Sequence, residues 1–149
     1  MRITKYSMKL NEDWINCLVK ESAKNYSVDI IDTPEKAAKL VTDIFDAGNL
    51  SEEYMWMIAL DTARRVKGVF EVSHGTLGSS LVHPREIFAR AILAGSASII
   101  IAHNHPGGSL NISESDRDVS YRIKQAGELI GIRLDDHIII AGDCFVSAI

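Results

Sequence analysis

The sequence has 149 residues, which is the length of one ordinary domain. Hydrophobic residues make up 46% of it and charged residues 24%, which excludes a disordered chain and predicts a buried core. The net charge of −4 excludes a strong overall positive field for non-specific nucleic-acid binding, although a local basic patch stays open.

The cysteines and the apolar runs of the sequence indicate where in the cell the protein is located. The two cysteines, Cys17 and Cys144, form no C-x-x-C pair and are predicted to be packing residues in a reduced setting. Residues 1–10 lack the apolar stretch of a secretory signal, and the longest apolar runs, 55–60 and 98–102, are too short to cross a bilayer. We therefore expect a cytoplasmic protein without membrane contact.

Residues 1–30 are predicted to form an extension that packs on a domain spanning residues 31–149. Apolar residues recur at helical spacing after Asn11-Glu12-Asp13, and they predict a short amphipathic helix containing Trp14, Ile15, Leu18 and Val19. Residues 1–9 are interpreted as a strand or a loose arm.

The domain is predicted to begin with a helix and a pair of strands. Thr33 followed by Pro34 is typical of a helix start, and Gly48 is expected to end that helix. Residues 53–60 and 66–73 predict a hairpin-like strand pair. The segment G-T-L-G-S-S at 75–80 predicts a flexible loop.

The remaining elements surround a histidine motif. Pro84 predicts a second helix, and residues 98–102 predict a short buried strand. A third helix is predicted from Ser113 to about residue 130, followed by strands over 137–141 and 145–149. This order predicts an α/β (α+β) domain in which helices flank a mixed sheet.

The motif itself follows the buried strand. If the extended backbone continues, the period of two places His103 and His105 on the same side. Together with Asp116 they make a set of two imidazoles and one carboxylate, which suits a catalytic zinc ion with one open position. The alternative for Ser113 and Asp116 is a capping box at the start of the third helix.

The spacing H-x-H-x7-S-x2-D resembles the metal motif of JAMM (MPN-type) metalloproteases. The wider string, which includes H-N-H-P-x-G and A-G-x-x-I-G-I-x-L-x-D-H-I-I-I, resembles the RadC branch from about Thr33 to the C-terminus. The resemblance implies the JAMM/MPN fold, which is similar to that of cytidine deaminases. It also implies a single Zn²⁺ ion bound by His103, His105 and Asp116, and a motif serine, Ser113, that hydrogen-bonds the developing oxyanion.

In JAMM enzymes a glutamate at the start of an upstream strand is the general base. Glu53 is the preferred candidate, because E-Y-M-W-M-I-A-L-D matches the family's strand, while Glu52 and Glu86 are kept as competitors. His137 matches the D-H of RadC sequences, and it is predicted to be a buried structural histidine, with a position near the site as the alternative. The loop P-G-G-S-L-N-I-S after His105 departs from the family pattern, which bears on substrate preference.

The leading hypothesis is a zinc metallohydrolase that cleaves a peptide or isopeptide bond in a peptide or protein substrate of unknown identity. The alternatives are a DNA-repair accessory protein of the RadC type and a non-catalytic MPN scaffold. The charge balance does not support nucleic-acid binding, and we expect the helix-hairpin-helix-like region of RadC proteins to be absent. The sequence does not decide between a monomer and a dimer.

Overall fold

The computed structural model describes residues 1–75 and 82–149, so residues 76–80 of the predicted flexible loop lie outside the described part. The elements in chain order are β1 (Arg2–Leu10), β2 (Asn16–Asn25), α1 (Pro34–Phe45), β3 (Glu53–Leu60), β4 (Val66–Gly75), α2 (Pro84–Leu93), β5 (Ser98–Asn104), α3 (Glu114–Ile130), β6 (Arg133–Ala141) and β7 (Cys144–Ser147).

The strands form one mixed sheet in the order β2-β1-β4-β3-β5-β6-β7. β1 lies parallel to β4 and β5 lies parallel to β6, whereas the other neighbouring strands are antiparallel. The carboxyl ends of β4, β5 and β6 therefore meet the start of β3 at the same edge of the sheet. The predicted mixed α+β fold is confirmed.

Helices cover both faces of the sheet, and each face has its own core. The first core packs α1 against side chains such as Trp56, Ile58 and Ile100, and the second packs α2 and α3 against Met57, Ile99 and Ile101. The central strands β3 and β5 alternate between the two cores, so nearly every residue in them is buried.

The helix predicted around Trp14 is wrong, because residues 2–25 form the antiparallel hairpin of β1 and β2. The Asn11 carboxamide oxygen accepts hydrogen bonds from the N–H groups of Asp13 (2.9 Å) and Ile15 (3.0 Å). An asparagine can cap a helix or close a turn through the same oxygen, and here it closes the turn. Trp14 then adopts a left-handed φ of 64° and is 82% exposed.

Two other sequence predictions need correction. The left-handed position that ends α1 is taken by Asp46, with φ 55°, rather than by Gly48. Cys17 lies in β2 and is only half-buried, while Cys144 begins β7 and is exposed, so Cys144 is not a packing residue.

No helix in residues 1–75 or 82–149 is long and apolar enough to span a membrane.

Candidate metal centre

The candidate site lies at the sheet edge where β5 ends and α3 begins. The His105 N–H donates to the Ile140 carbonyl at 2.8 Å, so the extended backbone of β5 continues through both motif histidines alongside β6. The chain then turns through the glycine-rich loop and enters α3 at Ser113. This path brings Asp116, in the first turn of α3, back to the end of β5.

The side chains of His103, His105 and Asp116 converge as their spacing predicts. Their ligand atoms all lie within 4.8 Å of one another. His103 Nε2 lies 2.9 Å from His105 Nε2 and 3.1 Å from Asp116 Oδ1, and His105 Nε2 lies 3.4 Å from Asp116 Oδ2. Ligands held about 2.0–2.1 Å from a tetrahedral zinc ion are roughly 3.4 Å apart. The three donors therefore fit a divalent cation in both spacing and chemistry.

Asp116 is held as a carboxylate. Its side chain is largely buried, which opposes ionisation, but hydrogen bonds from His103 and from the backbone N–H of Ser113 outweigh burial and keep the pKa of Asp116 well below its usual range. A charged carboxylate oxygen therefore faces the two imidazoles, as cation binding requires.

The tautomer of His105 is set by the loop that follows it. His105 Nδ1 lies 2.7 Å from the Ser109 carbonyl oxygen, and a carbonyl only accepts hydrogen bonds. Nδ1 therefore carries the proton, which leaves a lone pair on Nε2 at the point where the three side chains meet. A hydrogen bond of this kind is the usual support of a metal-binding histidine.

His137 is buried, as the sequence predicts, and it also lies next to the site, which was the alternative. Its ring is fully buried, and Nε2 lies 2.8 Å from His103 Nδ1 while Nδ1 lies 2.6 Å from Ser120 Oγ. Burial, together with the neighbouring His103 ring, lowers the pKa of His137 to about 3, so the ring is neutral at physiological pH. Ser120 was not identified from the sequence, although its position four residues after Asp116 places it on the same face of α3.

A cavity of about 460 Å³ opens over the three side chains. Glu53 lines this cavity, and so do Met55 and Val119 on its apolar side. The competing acids lie elsewhere: the Glu52 side chain is exposed, and Glu86 accepts a hydrogen bond from Arg90 Nη1 at 3.2 Å. Of the three candidate bases, Glu53 alone is among the residues that line the cavity.

Ser113 caps α3 and also lines the cavity. Its hydroxyl oxygen accepts from the Asp116 N–H at 3.0 Å, and Asp116 Oδ2 accepts from the Ser113 N–H at 2.9 Å, which completes the predicted capping box. The cap uses the oxygen of the hydroxyl group as an acceptor. The hydroxyl proton is therefore available for a second role in the cavity.

The sequence of this chain is similar to those of known proteins. Residues 31–148 match the RadC-like JAB domain family. A UPF0758 protein of Clostridium tetani is 47% identical over 127 residues, which are 85% of this chain and 54% of that protein. A UPF0758 protein of Clostridium kluyveri is 46% identical over 115 residues, or 77% of this chain and 50% of that protein. This chain thus spans about half the length of these relatives. Because the family match covers most of its length, the chain belongs to the RadC-like JAB domain family.

Proposed function

We propose that this chain is a zinc-dependent metallohydrolase that cleaves peptide or isopeptide bonds. One observation supports this most directly: His103, His105 and Asp116 bring their ligand atoms within 4.8 Å of one another beneath a cavity that Glu53 also lines. Three protein ligands with an open fourth position are typical of catalytic rather than structural zinc sites.

In the proposed enzyme, His103, His105 and Asp116 hold one Zn²⁺ ion. When bound, this ion lowers the pKa of a water molecule toward about 7 and polarises the scissile carbonyl. Two imidazoles and one carboxylate leave a net charge of +1 on the loaded site, which favours the negative charge that develops on the carbonyl oxygen.

Glu53 is the proposed general base. It lies two residues before Met55, whose position opposite His103 in the β3–β5 pair places both side chains on the face of the second core. A carboxylate on this face can take a proton from the attacking water and deliver it to the leaving amine.

Ser113 is the proposed oxyanion donor. Its oxygen is used by the cap of α3, while its hydroxyl proton can point into the cavity that it lines. A donor fixed by a capping box needs little reorganisation when charge develops on the substrate carbonyl.

The test combines metal analysis with a hydrolysis screen on the purified chain. The probes are a mixture of fluorogenic peptides and ε-linked lysine isopeptides, assayed with wild type and with Glu53→Gln. We expect one zinc ion per chain in both proteins, and a rate at least about 10²-fold lower in the variant.

Two glutamate variants are the matched controls. Glu52→Gln and Glu86→Gln make the same chemical change at acids that are not among the cavity-lining residues, and we expect wild-type rates from both. Full activity of Glu53→Gln would exclude Glu53 as the base. Failure of the wild-type chain to bind zinc would exclude the metallohydrolase.

A further inference from the structure

A buried line of polar contacts runs from α3 to the metal ligands. Ser120 Oγ lies 3.2 Å from the Asp116 carbonyl oxygen and 2.6 Å from His137 Nδ1. His137 Nε2 lies 2.8 Å from His103 Nδ1, and His103 Nε2 lies 3.1 Å from Asp116 Oδ1. The line thus begins at the backbone of Asp116 and ends at its side chain.

The position of one proton, on the Ser120 hydroxyl, fixes the direction of every hydrogen bond along this line. Ser120 has one hydroxyl proton, and each neutral imidazole carries one N–H. Once the Ser120 proton points one way, His137 and His103 must each place their proton on the corresponding nitrogen, because every contact needs one donor and one acceptor. Two orders are possible, with three protons in each, and each order satisfies three of the four contacts. The first leaves the contact between His103 Nε2 and Asp116 Oδ1 without a proton, and the second leaves the contact between Ser120 Oγ and the Asp116 carbonyl without one.

In the first order, Ser120 donates to the Asp116 carbonyl and accepts from His137 Nδ1–H. His137 Nε2 then accepts from His103 Nδ1–H, so His103 Nε2 presents a lone pair to the site, as a metal ligand must. In the second order, Ser120 donates to His137 Nδ1, and His137 Nε2–H donates to His103 Nδ1. His103 Nε2–H then donates to Asp116 Oδ1, so that the carboxylate is satisfied without a cation.

We propose that Ser120, His137 and His103 form a neutral hydrogen-bond relay that reverses direction when a divalent cation binds. The proposal rests on the metal site described under the proposed function. His137 acts as a positioning residue, since it contacts His103 and is not one of the three proposed ligands. The relay keeps both ring nitrogens of the buried His137 hydrogen-bonded in both states, which matters because a buried polar group without a partner destabilises the fold.

The direct test is nuclear magnetic resonance of the full chain labelled with ¹⁵N-histidine, recorded before and after addition of Zn²⁺. Protonated and unprotonated ring nitrogens give distinct signals. We expect the proton of His137 to lie on Nε2 without metal and on Nδ1 with zinc. The same tautomer in both states would overturn the relay even if zinc binds, whereas absence of zinc binding would overturn the proposed function itself.

A second test measures zinc affinity by competition with a chromogenic chelator. Ser120→Ala removes the partner of His137 Nδ1 in both orders, so His103 is no longer held by a fixed His137 tautomer. We expect the affinity for zinc to fall by about 10–100-fold, as is typical when the support of a metal ligand is lost. Ser120→Thr keeps the hydroxyl and should restore most of it. Wild-type affinity of Ser120→Ala would overturn the proposal.

The matched control is Ser96→Ala. Ser96 also buries its hydroxyl oxygen, but that atom has no hydrogen-bond partner among the described residues, and Ser96 precedes β5 at the opposite edge of the sheet. We expect its affinity for zinc to equal that of wild type. If the zinc affinity of Ser96→Ala fell as far as that of Ser120→Ala, the effect would come from a general loss of packing in the domain, and the proposal would be overturned.

Discussion

The side chain of Asn104 binds the backbone on both sides of Glu53. Its carboxamide oxygen accepts from the Tyr54 N–H at 2.6 Å, and its Nδ2 donates to the Glu52 carbonyl at 2.9 Å. Asn104 follows His103 in β5 and points to the opposite face, where it is 2% exposed. One tripeptide, His103-Asn104-His105, thus supplies two proposed metal ligands and fixes the start of the strand that carries the proposed base.

We predict that Asn104→Ala lowers the rate of hydrolysis while zinc content stays at one ion per chain. The start of β3 loses both hydrogen bonds, and misplacement of a catalytic group by about 1 Å can cost on the order of 10²-fold. The measurement is kcat on the best substrate from the screen, together with amide hydrogen exchange at Tyr54, which should become faster.

A double variant separates positioning of Glu53 from general damage. If Asn104 acts through Glu53, adding Asn104→Ala to Glu53→Gln should lower the residual rate no further. A further fall of the same size as in the wild-type background would show that Asn104 acts by another route.

Ser113 offers a way to separate capping from catalysis. We predict that Ser113→Ala loses about 1 kcal/mol of unfolding free energy because the cap is lost, whereas Ser113→Gly loses only a few tenths. Both variants lack the hydroxyl proton, so both should be slower by about 10²–10³-fold if that proton stabilises the oxyanion. Chemical denaturation and kcat measure the two effects.

The outcome for the glycine variant decides between the two roles. A Ser113→Gly protein that is both stable and fully active would leave capping as the function of this serine. Ser113→Thr, which keeps the hydroxyl and the cap, should retain most of the wild-type rate.

Zinc should stabilise the folded chain. At a free concentration of 100 times Kd, a ligand that binds only the folded state adds about 2.7 kcal/mol, which for a domain of this size raises Tm by roughly 5–10 °C. We predict this rise for wild type and its loss in Asp116→Asn. Asp118→Asn is the matched control, since Asp118 lies two residues further along α3 with its side chain exposed. A rise in Asp116→Asn equal to that of wild type would contradict the proposed ligand.

Local patterns in the sequence predict the elements around the site well. The capping box at Ser113, the prolines at the helix starts and the period of two through His103 all depend on neighbours within a few residues. The features that the sequence does not reveal depend on distant partners. Asn104 binds backbone groups 50 and 52 residues away, and His137 meets Ser120 only because β6 lies beside β5 beneath α3. Asn11 shows a third reason why prediction from the sequence fails. Its side chain can cap a helix or close a turn, and the pairing of β2 with β1 determines that it closes a turn.

The contact of Gly48 gives a prediction about stability alone. A Cβ atom at Gly48 would lie 2.4 Å from the Gly142 carbonyl oxygen, which belongs to backbone that cannot move aside like a flexible side chain. We predict that Gly48→Ala loses about 1–3 kcal/mol of unfolding free energy, the usual cost of overpacking. Gly107→Ala is the control, because nothing lies within 4 Å of a Cβ there. Denaturation curves of the two variants measure this cost, and equal stabilities would show that the loop after α1 shifts freely. Gly48 therefore serves close approach of two backbones, a role that its position after α1 in the sequence does not reveal.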